Sequence, residues 1–158
     1  MLQLSMEVKM NKGEMLNKML VLATNRHAGQ FDKGGNPYIL HPLKVMYYLK
    51  SDDEELQCIA LAHDLVEDTD TTFTELRELG FSERVIAGID AVTKRRGETY
   101  EEYKARVKAN PDAVDVKMCD LRHNSDIRRL KGVTEKDIAR AAKYHAFYLE
   151  LKMLKAQK

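Results

Sequence analysis

Cysteine is scarce in this sequence. Its two cysteines, Cys58 and Cys119, stand far apart in apolar contexts. They lack the close spacing of a zinc knuckle and read as buried free thiols, in keeping with a reducing cytoplasm. An excess of charge of either sign is also missing. The chain sets 26 Lys and Arg against 25 Asp and Glu, a net charge of +1. No global field points to nucleic acid or to an anionic membrane. The N-terminal stretch from Met1 meets charge at Glu7 and Lys9, so it reads as neither a signal peptide nor a membrane span. Repeats, low-complexity tracts and linkers are absent, and strand-like alternation does not persist anywhere. No serine lies in a nucleophile elbow, and neither cysteine has an obvious histidine base beside it. A covalent nucleophile is therefore not indicated.

What is present is a helical apolar period along nearly the whole chain. Its 158 residues suit one domain, 1–158, with a real core. A first helix is expected over about 14–28, with Met15, Met19, Leu22 and Ala23 inward. Eight methionines suit an adaptable core. The segment Gly29–Tyr38 reads as a loop from its glycines and proline. Pro42 fits the first position of the helix that follows, Leu43 to Lys50. Four starts carry a Ser/Thr-x-x-acid capping signature: Ser51 with Glu54, Thr72 with Glu75, Thr99 with Glu102, and Thr134 with Asp137. They open helices near 54–67, 73–79, 100–109 and 135–155, and two more are expected near 83–93 and 112–130. The fold class is all-α, with about eight helices.

One dipeptide breaks the apolar pattern. His63-Asp64 lies inside Ala60–Thr69, a stretch otherwise apolar up to Val66. Ionisable groups on an apolar helix are costly to bury unless they are paired or bind a metal. Four residues on come Glu67 and Asp68. On one helix, His63 would lie under Glu67 and Asp64 under Asp68. Capping accounts for Asp68 to Thr72 but not for His63 and Asp64.

Two further segments carry unexpected polar groups. His41 sits at a loop-to-helix junction before Pro42, where alone it reads as a cap. Asp120, His123 and Asn124 share one helical face, which alone reads as a structural network. Taken together, His41, His63, Asp64 and Asp120 supply two imidazoles and two carboxylates. Such a mixed set suits a borderline divalent ion and leaves room for water or substrate oxygen. A cation there would polarise a phosphoryl oxygen and lower the pKa of a water.

The order of these residues resembles the HD-domain metal phosphohydrolases. The flanking residues narrow the resemblance. His27 to Gln30, Lys33 to Pro42, His63 to Thr69 and Val116 to Asn124 are similar to the hydrolase domain of the Rel/Spo alarmone enzymes, closest to the stand-alone small alarmone hydrolases. The similarity runs over roughly residues 14–130 and includes Ala91 to Lys94. No synthetase domain is expected in the remaining length of this sequence. The resemblance implies an HD-domain helical fold, bound manganese, and removal of the 3′-pyrophosphate from guanosine tetra- or pentaphosphate, (p)ppGpp. It makes His41, His63, Asp64 and Asp120 the metal ligands. It gives Glu67 and Asp68 the task of positioning or deprotonating the attacking water, and sets Asn124 and Lys33 against substrate. The basic run Lys94, Arg95 and Arg96 is available to substrate phosphates if its loop folds over the mouth.

Three departures from the family pattern stand out. Asp32 stands where an arginine often precedes the loop lysine, Leu121-Arg122 inverts the usual order, and Ile127 replaces a frequent threonine. Asp32 is expected to weaken selectivity for guanine and to pair with Lys33 or Arg26. His27 reads either as an orienting residue for the loop or as plain packing. His145, beside Tyr144 and Tyr148, reads as a partly buried core histidine. Two other functions keep the same centre: hydrolysis of another phosphorylated nucleotide, such as a 2′-phosphate dinucleotide or a nucleoside triphosphate, and a non-catalytic nucleotide-sensing module. In each case the partner is a small nucleotide rather than nucleic acid or membrane.

Overall fold

Leu56, Cys58, Ile59, Ala60, Leu61 and Ala62 are all buried, so the helix that carries them, α3 (Glu54–Ala62), has almost no solvent face. A helix apolar all round belongs in a core. Around α3 pack α1 (Glu14–Arg26), α2 (Leu40–Leu49) and α6 (Glu83–Val92), which contribute Met19, Ala23, Val45, Val85 and Ile89. The computed structural model describes residues 9–158, and the expectation for the N-terminal stretch lies largely outside them. Among the described residues there are nine α-helices and one 3₁₀ turn, with an isolated bridge as the only β pairing. No helix among them is long and apolar enough to cross a membrane.

A second cluster joins α7 (Tyr100–Lys108), α8 (Pro111–Asn124) and α9 (Glu135–Ala156) through Tyr103, Val107, Val114, Leu121, Phe147 and Leu151. Between α3 and α6 lie two short helices, α4 (Leu65–Asp68) and α5 (Phe73–Glu78). Thr99 with Glu102 and Thr134 with Asp137 form complete capping boxes, and Thr72 caps α5. The cap of α3 differs from expectation. Asp53 accepts the amide protons of Glu55 and Leu56, while Ser51 accepts that of Asp53. A carboxylate at the N-cap meets the positive helix end better than a hydroxyl.

The expected 54–67 helix is broken at the informative dipeptide. It ends at Ala62, and α4 starts at Leu65, with Asp64 at φ −108° and ψ 0° between them. Helix α8 stops at Asn124 rather than running to 130, because Ser125 turns its hydroxyl onto the Leu121 carbonyl and Asp126 caps the 3₁₀ turn Ile127–Arg129. Helix α2 begins two residues before Pro42, whose missing amide is harmless within the first turn. His145 is exposed on α9 against the Tyr148 ring, not in the core. Cys58 is buried and Cys119 partly so; both are free, and burial pushes their thiols up to about 12 and about 11.

The close crossing of α3 and α6 depends on Gly88. A Cβ there would stand 2.4 Å from Ile59 Cδ1, and Ile59 is fully buried. Gly88→Ala gains helix propensity but overpacks this crossing, so we expect a net loss on the order of 1–2 kcal/mol. Urea unfolding of Gly88→Ala beside Gly88→Ala/Ile59→Val checks it: the second change should recover part of the loss, and an unchanged midpoint in the single variant would show that the helices separate freely.

Candidate active site

Four of the sequence-predicted residues meet at one point where α2, α3 and α8 converge. His41 comes from the first turn of α2, His63 from the end of α3, Asp64 from the break that follows, and Asp120 from α8. His41 Nε2 lies 3.1 Å from His63 Nε2 and 3.0 Å from Asp120 Oδ1. Asp64 Oδ2 lies 2.9 Å from His63 Nε2 and 3.6 Å from His41 Nε2. His41, His63 and Asp120 are almost wholly buried, and one donor atom from each falls within 4.8 Å of the others.

The surrounding hydrogen bonds aim these donors inward. His63 Nδ1 is 2.7 Å from the Ala60 carbonyl, which can only accept, so Nδ1 donates and a neutral ring keeps its Nε2 lone pair for the cluster. His41 Nδ1 is 2.7 Å from His123 Nδ1, with the two rings stacked. Burial and the Arg129 charge push His123 down to about 4, so near neutral pH its ring is neutral and its Nδ1 can accept from His41 Nδ1, the tautomer in which a neutral His41 would offer its Nε2 lone pair to a cation. Lys117 Nζ donates to Asp120 Oδ2 at 2.7 Å, Asn124 Nδ2 to Asp120 Oδ1 at 2.8 Å, and the Tyr38 hydroxyl to Asp64 Oδ2. Burial alone would raise both acids. The His63 charge nevertheless holds Asp64 at about 2, and Lys117 with His63 holds Asp120 well below the usual carboxylate range. Burial likewise opposes a charge on His63, but Asp64 and Asp120 outweigh it and raise the ring well above its ordinary value. Two imidazole nitrogens with fixed outer N–H groups and two ionised carboxylates form a donor set that fits a divalent cation.

Glu67 and Asp68 turn toward different neighbours. Glu67 accepts the Lys94 amide proton, while the Asp68 carbonyl accepts from Gln30 Nε2 at 2.9 Å. Both carboxyls are raised, by crowding from surrounding protein and by the negative charge of Asp64. His27 is buried, bonds Gln30 through Nδ1 and packs its ring on Tyr38, so it braces the loop; its Nε2 has no partner among the described residues.

A cavity of about 300 Å³ opens beside the cluster, lined among others by Phe31, Lys33, Tyr38, Asn124, Arg129 and Tyr144. It brings Lys33 and Asn124 together. Asn124 also spends its amide inside the protein, donating to Asp120 and accepting from Arg129 Nη1 at 3.3 Å. Lys94 and Arg95 do not line this cavity. Lys94 is exposed where its amide meets Glu67, and Arg95 pairs with Asp90 at 2.9 Å. Asp32 pairs with neither Lys33 nor Arg26. Its Oδ2 lies 3.3 Å from Arg129 Nη2, and Arg26 is engaged by Asp70 and Glu75 at the α5 end. The reason is the absent side chain of Gly34. A Cβ there would stand 2.3 Å from the Arg129 carbonyl oxygen, so only glycine lets the loop approach this turn.

Sequence reasoning missed Lys117 and Tyr38, and set His123 only within a possible structural network. Lys117 lies three residues before Asp120, so the same helical spacing that grouped Asp120 with His123 could have found it. Tyr38 carried no local signal.

No protein-family model matches the chain. A guanosine-3′,5′-bis(diphosphate) 3′-pyrophosphohydrolase of Aquifex aeolicus is 36% identical over 121 residues, covering 70% of this chain and 17% of the relative. A GTP pyrophosphokinase of Myxococcus xanthus is 31% identical over 146 residues, covering 82% and 19%. The chain thus spans less than a fifth of the length of these relatives. A solved structure, described as a metazoan ortholog of SpoT that hydrolyzes ppGpp and plays a role in starvation responses, shares the fold. Its TM-score is 0.69 at 24% identity, covering 94% of this chain and 98% of that one. Fold and site together define a helical domain of the HD type. Within that class the chain is similar to the Rel/Spo-type hydrolase domain, in sequence over most of its length and in fold over nearly all of it.

Removing the Lys117 charge should expose how the buried acids are balanced. Lys117→Met leaves Asp120 without its strongest partner, and breaking a buried pair in this way costs on the order of 3 kcal/mol. Thermal melts in chelator and with added manganese check this: the variant should melt well below wild type in chelator and regain part of the difference with metal. Equal melting in chelator would show that Asp120 does not depend on the lysine.

Proposed function

We propose that this chain removes the 3′-pyrophosphate from guanosine tetra- or pentaphosphate with the help of a divalent cation, manganese. The observation that carries this reading is the convergence of His41, His63, Asp64 and Asp120 beside a cavity that holds Lys33. The names of the Aquifex relative and of the solved structure point the same way, and the raised carboxyls of Glu67 and Asp68 next to the cluster favour hydrolysis over binding alone. Free thiols at Cys58 and Cys119 support a reducing, cytoplasmic setting.

His41, His63, Asp64 and Asp120 would hold the cation. When bound, it supplies Lewis-acid polarisation of a phosphoryl oxygen and lowers the pKa of water. The chain's own residues supply the remainder. Glu67 accepts a proton from the attacking water, the part of a general base beside the cluster. Asp68 shares the task of positioning that water. The water oxygen bonds to the phosphorus carried on the ribose 3′ oxygen, the bond from that phosphorus to the 3′ oxygen breaks, and the 3′ oxygen takes up the proton that Glu67 accepted from the water and leaves as the 3′-hydroxyl. The products are pyrophosphate and guanosine 5′-diphosphate from the tetraphosphate, or guanosine 5′-triphosphate from the pentaphosphate. Lys33 neutralises anionic charge at the cavity mouth, while Lys94 and Arg95 face phosphates that extend past Glu67. The Asp32 carboxylate in the cavity wall favours a second reading, in which another phosphorylated nucleotide is accepted at a comparable rate.

Asp64→Ala deletes an anionic ligand and the partner of Tyr38. Elemental analysis and turnover of guanosine tetraphosphate should both fall; full metal content with wild-type turnover would remove Asp64 from the ligand set. Glu67→Gln should keep metal and fold yet lose on the order of 10²–10⁴ in rate. The wild-type rate should also drop as pH falls through the pKa of Glu67, because the base must be ionised to accept a proton. Loss of metal together with activity would make Glu67 a ligand instead.

A further inference from the structure

Arg129 stands between two cavities. It lines the one that holds Lys33 and also a second, of about 410 Å³, that reaches His41, His123 and Lys44. Its Nη1 donates to the His123 carbonyl at 3.0 Å and to Asn124 Oδ1 at 3.3 Å, while Nη2 approaches Asp32 Oδ2 at 3.3 Å. A guanidinium has five N–H donors. Nε–H and one Nη2 hydrogen have no partner among the described residues. The Asp32 contact is also long for a charge-assisted hydrogen bond, which is usually ~2.7–2.9 Å.

The other carboxylates of this cavity are committed. Asp126 accepts the Arg128 amide at 3.1 Å and pairs with the Arg128 guanidinium. Asp137 accepts the Thr134 amide at 2.9 Å and pairs with Arg140 at 3.0 Å. Lys33 has no ion-pair partner among the described residues. The walls therefore offer aromatic and apolar surface from Phe31, Tyr38, Ile127 and Tyr144, together with three cations, Lys33, Arg140, which pairs with Asp137 on its own helix, and Arg129, which alone reaches toward the second cavity as well. That chemistry suits a ligand with a planar apolar part and phosphates.

We propose that Arg129 recognises a phosphate of the bound nucleotide, releasing Asp32 to do so, and that the Asp32–Arg129 pair thereby sets ligand affinity. Asp32 is then a competitor for the arginine and not a reader of the base. Its Oδ1 already accepts the Asn36 amide proton at 2.9 Å, which ties it to its own loop. The inference rests on the reading that this cavity takes a nucleotide, and it adds which residue holds the phosphate and what opposes it.

Calorimetric titration with guanosine 5′-diphosphate, which cannot turn over here, tests the exchange in wild type, Arg129→Gln, Arg129→Lys and Asp32→Asn. Arg129→Gln should weaken binding by about 10–100-fold, the loss of hydrogen bonds to a charged group. Arg129→Lys should fall between it and wild type, and Asp32→Asn should bind about 2–5-fold more tightly, since it removes a partly exposed competing charge while keeping the loop acceptor. Metal content of each variant reports whether the Asn124–Asp120 bond, and with it the cluster, is intact. Unchanged affinity in Arg129→Gln overturns the proposal, as does absence of binding in wild type. Weaker or equal binding in Asp32→Asn overturns it too, and that variant decides alone if Arg129→Gln does not fold. Turnover of guanosine tetraphosphate is scored separately. Arg129-dependent binding without turnover would sink the hydrolase reading and leave this one standing; turnover with an unchanged KM in Arg129→Gln would do the reverse.

Discussion

Everything near the site follows from one constraint: two imidazoles and two carboxylates share a volume only about one hydrogen bond across, at the inner ends of three helices. Buried ionisable groups persist only when each is paired and hydrogen-bonded. Here each has a partner. Asp120 has Lys117 and Asn124, Asp64 has Tyr38, His63 has the Ala60 carbonyl, and His41 has His123. The partners come from the loop, from α3 and from α8, so satisfying four polar side chains also fixes how three separate segments meet.

The apolar packing makes that arrangement rigid. Ile59, Leu61, Ala62 and Leu65 are fully buried on either side of His63 and Asp64. Close-packed neighbours leave the imidazole little room to reorient. The helix break then has a clear consequence. An unbroken helix would stack Glu67 over His63 and Asp68 over Asp64, on one line. The turn at Asp64 instead sends Glu67 toward the Lys94 amide and leaves Asp68 near the His27–Gln30 segment. The Glu67 carboxylate is therefore held by the Lys94 amide, while the Gln30 side chain holds the Asp68 backbone carbonyl.

Much of this was legible in the sequence, for reasons that differ by element. The helices were readable because burial imposes a 3.6-residue period, and the capping boxes at Thr99 and Thr134 because the motif is local. The four cluster residues stood out because charge inside an apolar stretch is costly. The break at His63-Asp64 was not readable, since the apolar period continues through Leu65 and Val66 and only tertiary pairing bends the chain there. Ser51 and Asp53 both cap helices well, and the choice between them fell to the residue that reaches two amides. His145 was misread because neighbouring tyrosines suggest a core face, whereas the buried stripe of α9 runs through Phe147 and Leu151. The Asp32–Arg129 pair joins residues 97 positions apart. No local pattern could reveal it; it needs the loop to lie against the turn after α8, which Gly34 permits.

The electrostatics of the rim tie the base to the centre. Glu67 and Asp68 are raised partly because Asp64 stays ionised beside them. Each negative charge makes the next one harder to hold, so the carboxylates around this site cannot all ionise cheaply on their own. A divalent charge among His41, His63, Asp64 and Asp120 would reverse that field and favour ionised Glu67 and Asp68. His63 would hold such a cation only as the neutral imidazole, without a shared proton. The same event that completes the cluster would therefore prepare the proton acceptor outside it, although Glu67 and the cluster make no direct hydrogen bond to each other. On this view the neutral state of His123, kept low by burial and Arg129, matters as much as the ligands. It lets His41 hold its outer proton and present a lone pair inward, so the arginine at the cavity mouth acts on the buried centre through one ring as well as through Asn124.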